Sequence, residues 1–254
     1  MDSITIHSRS NFPPEGSPLT LSRLAVEWTA PLVEDMARLP YVELDSRTPA
    51  ELGEGLKTGE VACGLIPPLQ SVLMPFGRVI SGIGVCSQSG AAFPKVYGRE
   101  DEIAVLAYPE GWEICALTAC CVFAAAGALA PRCLAFESGV VPEDADAVLC
   151  MDAGQAPPPA GFAREWSLSA LWREHTGFPL VHALWTGSFG APYPRLRSLL
   201  AGAVRDGAPV SESQEEADDY YYAMASLEMD GIRALLEQAA ALGFCPDDAY
   251  VRLC

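Results

Sequence analysis

Lysine is nearly missing from this 254-residue chain: Lys57 and Lys95 are the only two, and Asn11 is its sole asparagine. Basic recognition therefore falls to arginine, whose planar fork suits carboxylates. The balance of 33 acidic against 16 basic residues, a formal charge of −17, argues against nucleic acid or an anionic membrane as partner, since both would be repelled. No pair of cysteines has the CxxC spacing, and most of the nine, among them Cys63, Cys86, Cys115, Cys120, Cys121 and Cys150, sit inside apolar runs, where a thiol serves as a small hydrophobe. His7, His175 and His182 lack helical i, i+4 spacing, so no metal site is expected. The uncharged run from Ile114 to Ala130 is 17 residues long and contains Thr118 and Gly127; a buried helix is expected there, not a membrane span. The opening MDSITIHSRSNFPPEG lacks the basic-then-apolar order of a secretory signal, so a cytoplasmic location is expected.

What is present is a 50% hydrophobic composition, enough to bury a large core. The stretch SLSALWREHTGFPLVHALWTG, Ser167 to Gly187, reads as a capped helix with an exit at Gly177, followed by a strand covered on both faces. Thr48-Pro49-Ala50-Glu51 is a capping box with proline at the first helical position; Gly59 closes that helix and VACGLIPP follows as a strand. The strand, helix and strand so formed predict a parallel sheet, with ligand contacts expected around Pro67 to Ser71. Thr29 is read as a helix cap. Residues 78–99 carry glycines at 82, 84, 90 and 98 and hydroxyls at Ser81, Ser87 and Ser89, a pattern that fits either an anion-holding loop of backbone amides or an irregular hinge. Ser213 to Glu216 repeats the capping-box form and predicts a long helix in which Ile232, Leu235, Leu236 and Ala239 face inward and Tyr220, Tyr221 and Tyr222 pack near its start.

Taken in order, AVEWTAPLVEDMARLPYVELDSRTPAELGEGLKTGEVACGLIPP, ADAVLCMDAG, SLSALWREHTGFPLVHALW and YYYAMASLEMDGIRALLEQAAALGF resemble chorismate dehydratase, the first enzyme of the futalosine route to menaquinone, across about residues 24 to 250. The resemblance implies an α/β, two-lobed periplasmic-binding-protein-like fold of type II. On that reading 1–22 form an N-terminal arm, 23–85 with 186–254 the outer lobe and 86–185 the inner lobe, with the ligand held between them. It implies loss of water from chorismate to give 3-[(1-carboxyvinyl)oxy]benzoate, a hydro-lyase reaction needing no metal or organic cofactor.

Residue by residue the match departs at the expected ligand positions. Trp28 stands where the family carries an asparagine, followed by Thr29, Ala30, Pro31 and Leu32; Gly111, Trp112, Glu113 and Ile114 replace a serine-arginine-threonine-serine turn. Asp152-Ala153 replaces glycine-aspartate, and His182 a phenylalanine, while Ser87, Gln88, Ser89 and Gly90 keep the serine-and-glycine loop. The substrate-binding set is thus Ser87, Ser89, Gly90, Thr29, Trp28, Gly111 and His182, with Arg78 a candidate replacement cation and no catalytic side chain assigned. Each lost donor to a charged group costs about 1.5–3 kcal/mol, so two or three lost would weaken a dicarboxylate roughly a thousandfold. The alternative reading is therefore a non-catalytic binding protein, or a diverged enzyme, for another aromatic or cyclic carboxylic acid.

Overall fold

The structure, a computed structural model, describes residues 17–88, 93–137, 140–152, 160–206 and 220–254. In chain order its elements are β1 (Leu19–Leu24), two 3-10 turns (Glu27–Leu32 and Met36–Arg38), β2 (Val42–Arg47), α1 (Pro49–Thr58), β3 (Cys63–Ile66), α2 (Pro68–Leu73), β4 (Arg78–Ser87), β5 (Lys95–Gly98), β6 (Val105–Pro109), α3 (Glu113–Ala125), β7 (Arg132–Phe136), β8 (Ala147–Cys150), β9 (Arg164–Ser167), α4 (Leu168–Thr176), β10 (Leu180–Gly187), α5 (Tyr193–Asp206), β11 (Tyr220–Ala223) and α6 (Ser226–Ala241).

Two sheets result among the described residues: a six-stranded one in the order β11-β4-β10-β3-β1-β2 and a five-stranded one in the order β7-β6-β8-β5-β9. In the first, β1 runs parallel to both β2 and β3, and β10 runs antiparallel to β3 and β4. The parallel pairing expected around α1 is present, with β1 inserted between β2 and β3. In the second, β6 is parallel to β7 and β8, and β5 is antiparallel to β8 and β9. The carboxyl ends of β1, β2, β3 and β4 and the amino ends of β10 and β11 therefore collect along one edge of the first sheet. The carboxyl ends of β6, β7, β8 and β9 with the amino end of β5 collect along one edge of the second. These two edges meet, and everything described below as the seam lies between them.

Local chemistry explains the elements that frame the seam. Thr48 caps α1: its hydroxyl accepts from the Glu51 amide, and the Glu51 carboxylate accepts from the Thr48 amide at 2.8 Å and the Thr48 hydroxyl at 2.9 Å, the two bonds that hold Glu51 below its ordinary carboxylate value. Gly59, at φ 79°, takes the left-handed exit that a side chain would strain. Ser167 caps α4 by accepting from the Ala170 amide, Gly177 ends the helix in the same left-handed way, and β10 is buried at all eight positions. α3, apolar on every side, packs against α6, α4 and α1.

Several expectations need correction. The strand β1 starts at Leu19, inside the segment expected as an arm, because Leu19 and Leu21 alternate inward beneath the sheet's cover. Residues 78–87 are neither hinge nor loop: β4 is a ten-residue strand pairing on both sides, whose small residues let neighbours approach, so a Cβ on Gly84 would collide with the Met224 sulfur. The lobe boundaries expected at 85/86 and 185/186 fall inside β4 and β10; the chain changes sheet between Ser87 and Lys95 and again between Ser167 and Leu180. Tyr220–Ala223 is a strand, not the start of the long helix, which begins at Ser226. Ser213 to Glu216 lies outside the described residues. No helix among the described residues is long and apolar enough to cross a membrane.

Candidate functional site at the lobe seam

The seam centres on three side chains that no stretch of sequence brings together. Ser87 ends β4, Ser169 lies in the first turn of α4, and His182 sits in β10, where the pairing with β4 slips between Val181 and Ala183. A slip of this kind bends the strand and re-aims the side chain at it. The Ser87 and Ser169 hydroxyls are 2.6 Å apart, Ser87 Oγ is 2.7 Å and Ser169 Oγ 3.3 Å from His182 Nε2, and both serines are wholly buried. Burial pushes the His182 imidazole down to about 3, so near neutral pH it is uncharged and offers a lone pair or an N–H, not a cation. Sequence reasoning selected Ser87 and His182 and missed Ser169. Its signal was present: Ser169 falls three residues before the buried Trp172, a hydroxyl in the inward stripe of an amphipathic helix.

Above this cluster stands an aromatic panel. Trp28 lies nearly parallel to Tyr220, with ring centroids 5.6 Å apart and planes at 14°, and His182 faces both, at 5.5 Å from Trp28 and 5.7 Å from Tyr220. The Trp28 indole N–H donates to the Met151 carbonyl of the second lobe at 2.8 Å, and the Tyr222 hydroxyl approaches the Trp28 carbonyl. Strand alternation explains the pairing: Tyr220 and Tyr222 share the face of β11 turned to Trp28, whereas Tyr221 on the other face donates to Glu228 at 2.7 Å. One rung further along the seam, the Glu27 amide donates to Asp152 Oδ2 at 2.8 Å, and Ala50 N–H in the first turn of α1 donates to the Gly111 carbonyl at 3.2 Å.

The remaining expected site residues divide sharply. Thr29 does not cap a helix. It is fully buried within a 3-10 turn, its hydroxyl directed at the Leu24 and Val26 carbonyls at 3.0 and 2.8 Å while accepting from Arg23 Nη1 at 2.9 Å. Burial draws the Arg23 guanidinium below its ordinary value, against the pull of the Asp152 and Glu27 carboxylates. Gly111 is at the seam, but as backbone: φ is +85°, and a Cβ there would stand 3.0 Å from Thr48 Oγ1. Arg78 begins β4 and so lies at the far edge from Ser87, which removes it as a seam cation. Ser89 and Gly90 lie outside the described residues. Among the described residues no group of three or more His, Cys, Asp or Glu side chains could hold a metal ion.

Two facing α/β lobes, crossed twice by the chain and carrying polar groups along the meeting edges of their sheets, define the periplasmic-binding-protein-like fold of type II. Solved structures with this arrangement include protein AF1704 from Archaeoglobus fulgidus, 16% identical, covering 90% of this chain and 98% of that one with a TM-score of 0.61. A second is the alkanesulfonate-binding protein SsuA from Xanthomonas axonopodis pv. citri bound to MOPS, 12% identical, covering 94% and 97% with a TM-score of 0.54. At these identities the likeness is one of fold. No family model and no curated protein matches the sequence.

Proposed function

We propose that the seam binds a cyclic carboxylic acid and that the protein is a chorismate dehydratase-type hydro-lyase, converting chorismate to 3-[(1-carboxyvinyl)oxy]benzoate in the cytoplasm as a step of menaquinone synthesis. The observation that carries the reading is the Ser87–Ser169–His182 cluster. Its neutral hydrogen-bonding groups come from two adjacent strands of the first sheet and from the helix by which the chain crosses back to it, converge at the sheet edge and lie beside an aromatic wall. Hydroxyls bonded only to other side chains can turn to an incoming carboxylate or ring hydroxyl without breaking any main-chain bond. The order of sequence motifs supplies the choice of chorismate. The reaction asks little more of the chain, since aromatisation drives loss of the ring proton and hydroxyl, and the substrate's own enolpyruvyl carboxylate serves as base once the seam holds it bent.

A second reading is favoured by the Asp152 carboxylate held at the seam by the Glu27 amide, a negative charge that opposes a doubly charged substrate. On it the same seam belongs to a non-catalytic binding protein for a less charged ring acid. Chorismate followed by NMR with purified protein tests both. Consumption with appearance of the aromatic product supports the lyase, and thermal stabilisation without consumption supports the binding protein. Absence of both effects, with the purified chain folded, rejects chorismate as the ligand.

A further inference from the structure

Trp28 is placed as a ligand would be. Its indole is 8% exposed, stacks on Tyr220, faces His182, and has its one polar atom read by a main-chain carbonyl of the opposite lobe. Close by lies the Ser87–Ser169–His182 cluster, a polar neighbour for a large and mostly apolar ring. The segment carrying the ring is suited to letting it go. The turn Glu27–Leu32 has no side-chain cap at its start, and its 3-10 backbone bonds, Thr29 N–H to Val26 O at 3.3 Å and Val33 N–H to Ala30 O at 3.0 Å, are of the weaker i to i+3 type. Thr29 and Arg23 pin the main chain at Leu24 and Val26, just before the turn, so that movement of Trp28 is confined to the turn itself.

The geometry points to Trp28 as a resident occupant of the ligand's place: the indole clasps the lobes in the free protein and leaves when a planar six-membered ring with a hydrogen-bond donor at its edge takes over the Tyr220 face and the Met151 carbonyl. This rests on the seam being the ligand site, and it adds the shape and polarity of what enters. Such a ligand must displace the indole, so its apparent dissociation constant is raised by the inverse of the small fraction of molecules in which Trp28 is out. Trimming the ring removes that competition.

The test is calorimetric titration of the full chain, wild type and Trp28→Ala, with chorismate and with indole. The expected result is that Trp28→Ala binds chorismate at least tenfold more tightly than wild type and binds indole, which wild type does not. Indole binding by Trp28→Ala with no chorismate binding by either protein supports the occupant role while rejecting chorismate as the ligand. Chorismate binding that is equal or weaker in Trp28→Ala overturns the occupant role and leaves the seam as the site. A folded variant that binds neither compound also overturns it. Trp28→Leu, which keeps an apolar filler, is read in the same way if the alanine variant does not fold. A 5-fluorotryptophan signal from residue 28 that stays put when wild type is saturated with chorismate likewise overturns it.

Discussion

Thr29 and Ser87 are both completely buried hydroxyls at the edge of the first sheet, and they are held in opposite ways. The Thr29 hydroxyl is committed to main-chain carbonyls five and three residues before it, with Arg23 completing the knot. The Ser87 hydroxyl is held by side chains 82 and 95 residues away, Ser169 and His182. Local bonds to backbone fix a turn, whereas bonds between side chains distant in sequence tie separate elements together and can be re-formed around something else. A hydroxyl near a cleft is thus architecture or chemistry according to its partners, and the partners of Ser87 are the ones a ligand could replace.

The largest expected effect that sharpens this contrast comes from His182. An unfolded histidine takes up a proton near 6.5, the folded one only near 3. Across that window the unfolded chain binds the additional proton, so acid destabilises the fold, and full stability returns only as pH rises past 6.5. The slope from this one group approaches about 1.4 kcal/mol per pH unit. Urea midpoints of wild type and His182→Gln between pH 5 and 7, above most carboxylate titration, isolate it: the difference between the two proteins should shrink steadily with acid. Parallel profiles would mean that His182 is not buried as a neutral base, and the cluster would lose its centre.

Next in size is Ser87→Ala. It leaves His182 Nε2 with only the longer contact to Ser169, and an under-satisfied buried polar atom costs about 1–3 kcal/mol. The same change should abolish the response to chorismate, whether turnover or stabilisation, as should Ser169→Ala. A Ser87→Ala protein that loses stability but responds as before would move the cluster from the site into the core. Gly111→Ala comes third. Its left-handed φ and the nearness of Thr48 predict a loss of about 1–2 kcal/mol with the seam chemistry untouched, measured by thermal melting.

Much of the frame was legible because it is written in local chemistry. The cap at Thr48, the cap at Ser167, the exits at Gly59 and Gly177 and the doubly covered β10 each depend on residues within a few positions of one another. The two-lobed fold was implied by the family resemblance that the order of the longer motifs carries. The seam was only half legible, since it is made by contacts across the chain. Ser169 looked like one more helix residue after its cap, and Tyr220 like packing at a helix start, until β11 paired with β4 and set Tyr220 opposite Ser87. Thr29 shows the reverse error: a cap hydroxyl accepts from amides at the start of a helix, but the short 3-10 turn with Pro31 inside it offers no following helix to cap, and the Thr29 hydroxyl donates to carbonyls instead.

The smallest expected effect completes the contrast. Thr29→Val keeps the shape and removes the hydroxyl, while Arg23 Nη1 still donates to the Leu24 and Val26 carbonyls at 3.1 and 2.6 Å, so no carbonyl is left bare. The loss should be that of a single ordinary hydrogen bond, about 1 kcal/mol, and chorismate binding should match wild type. Thr29→Ser should recover most of that stability. If Thr29→Val instead weakens chorismate binding tenfold without changing the melting temperature, the hydroxyl faces the ligand in the open protein. The distinction drawn between hydroxyls tied to main chain and hydroxyls tied to side chains then fails at the residue where it is simplest.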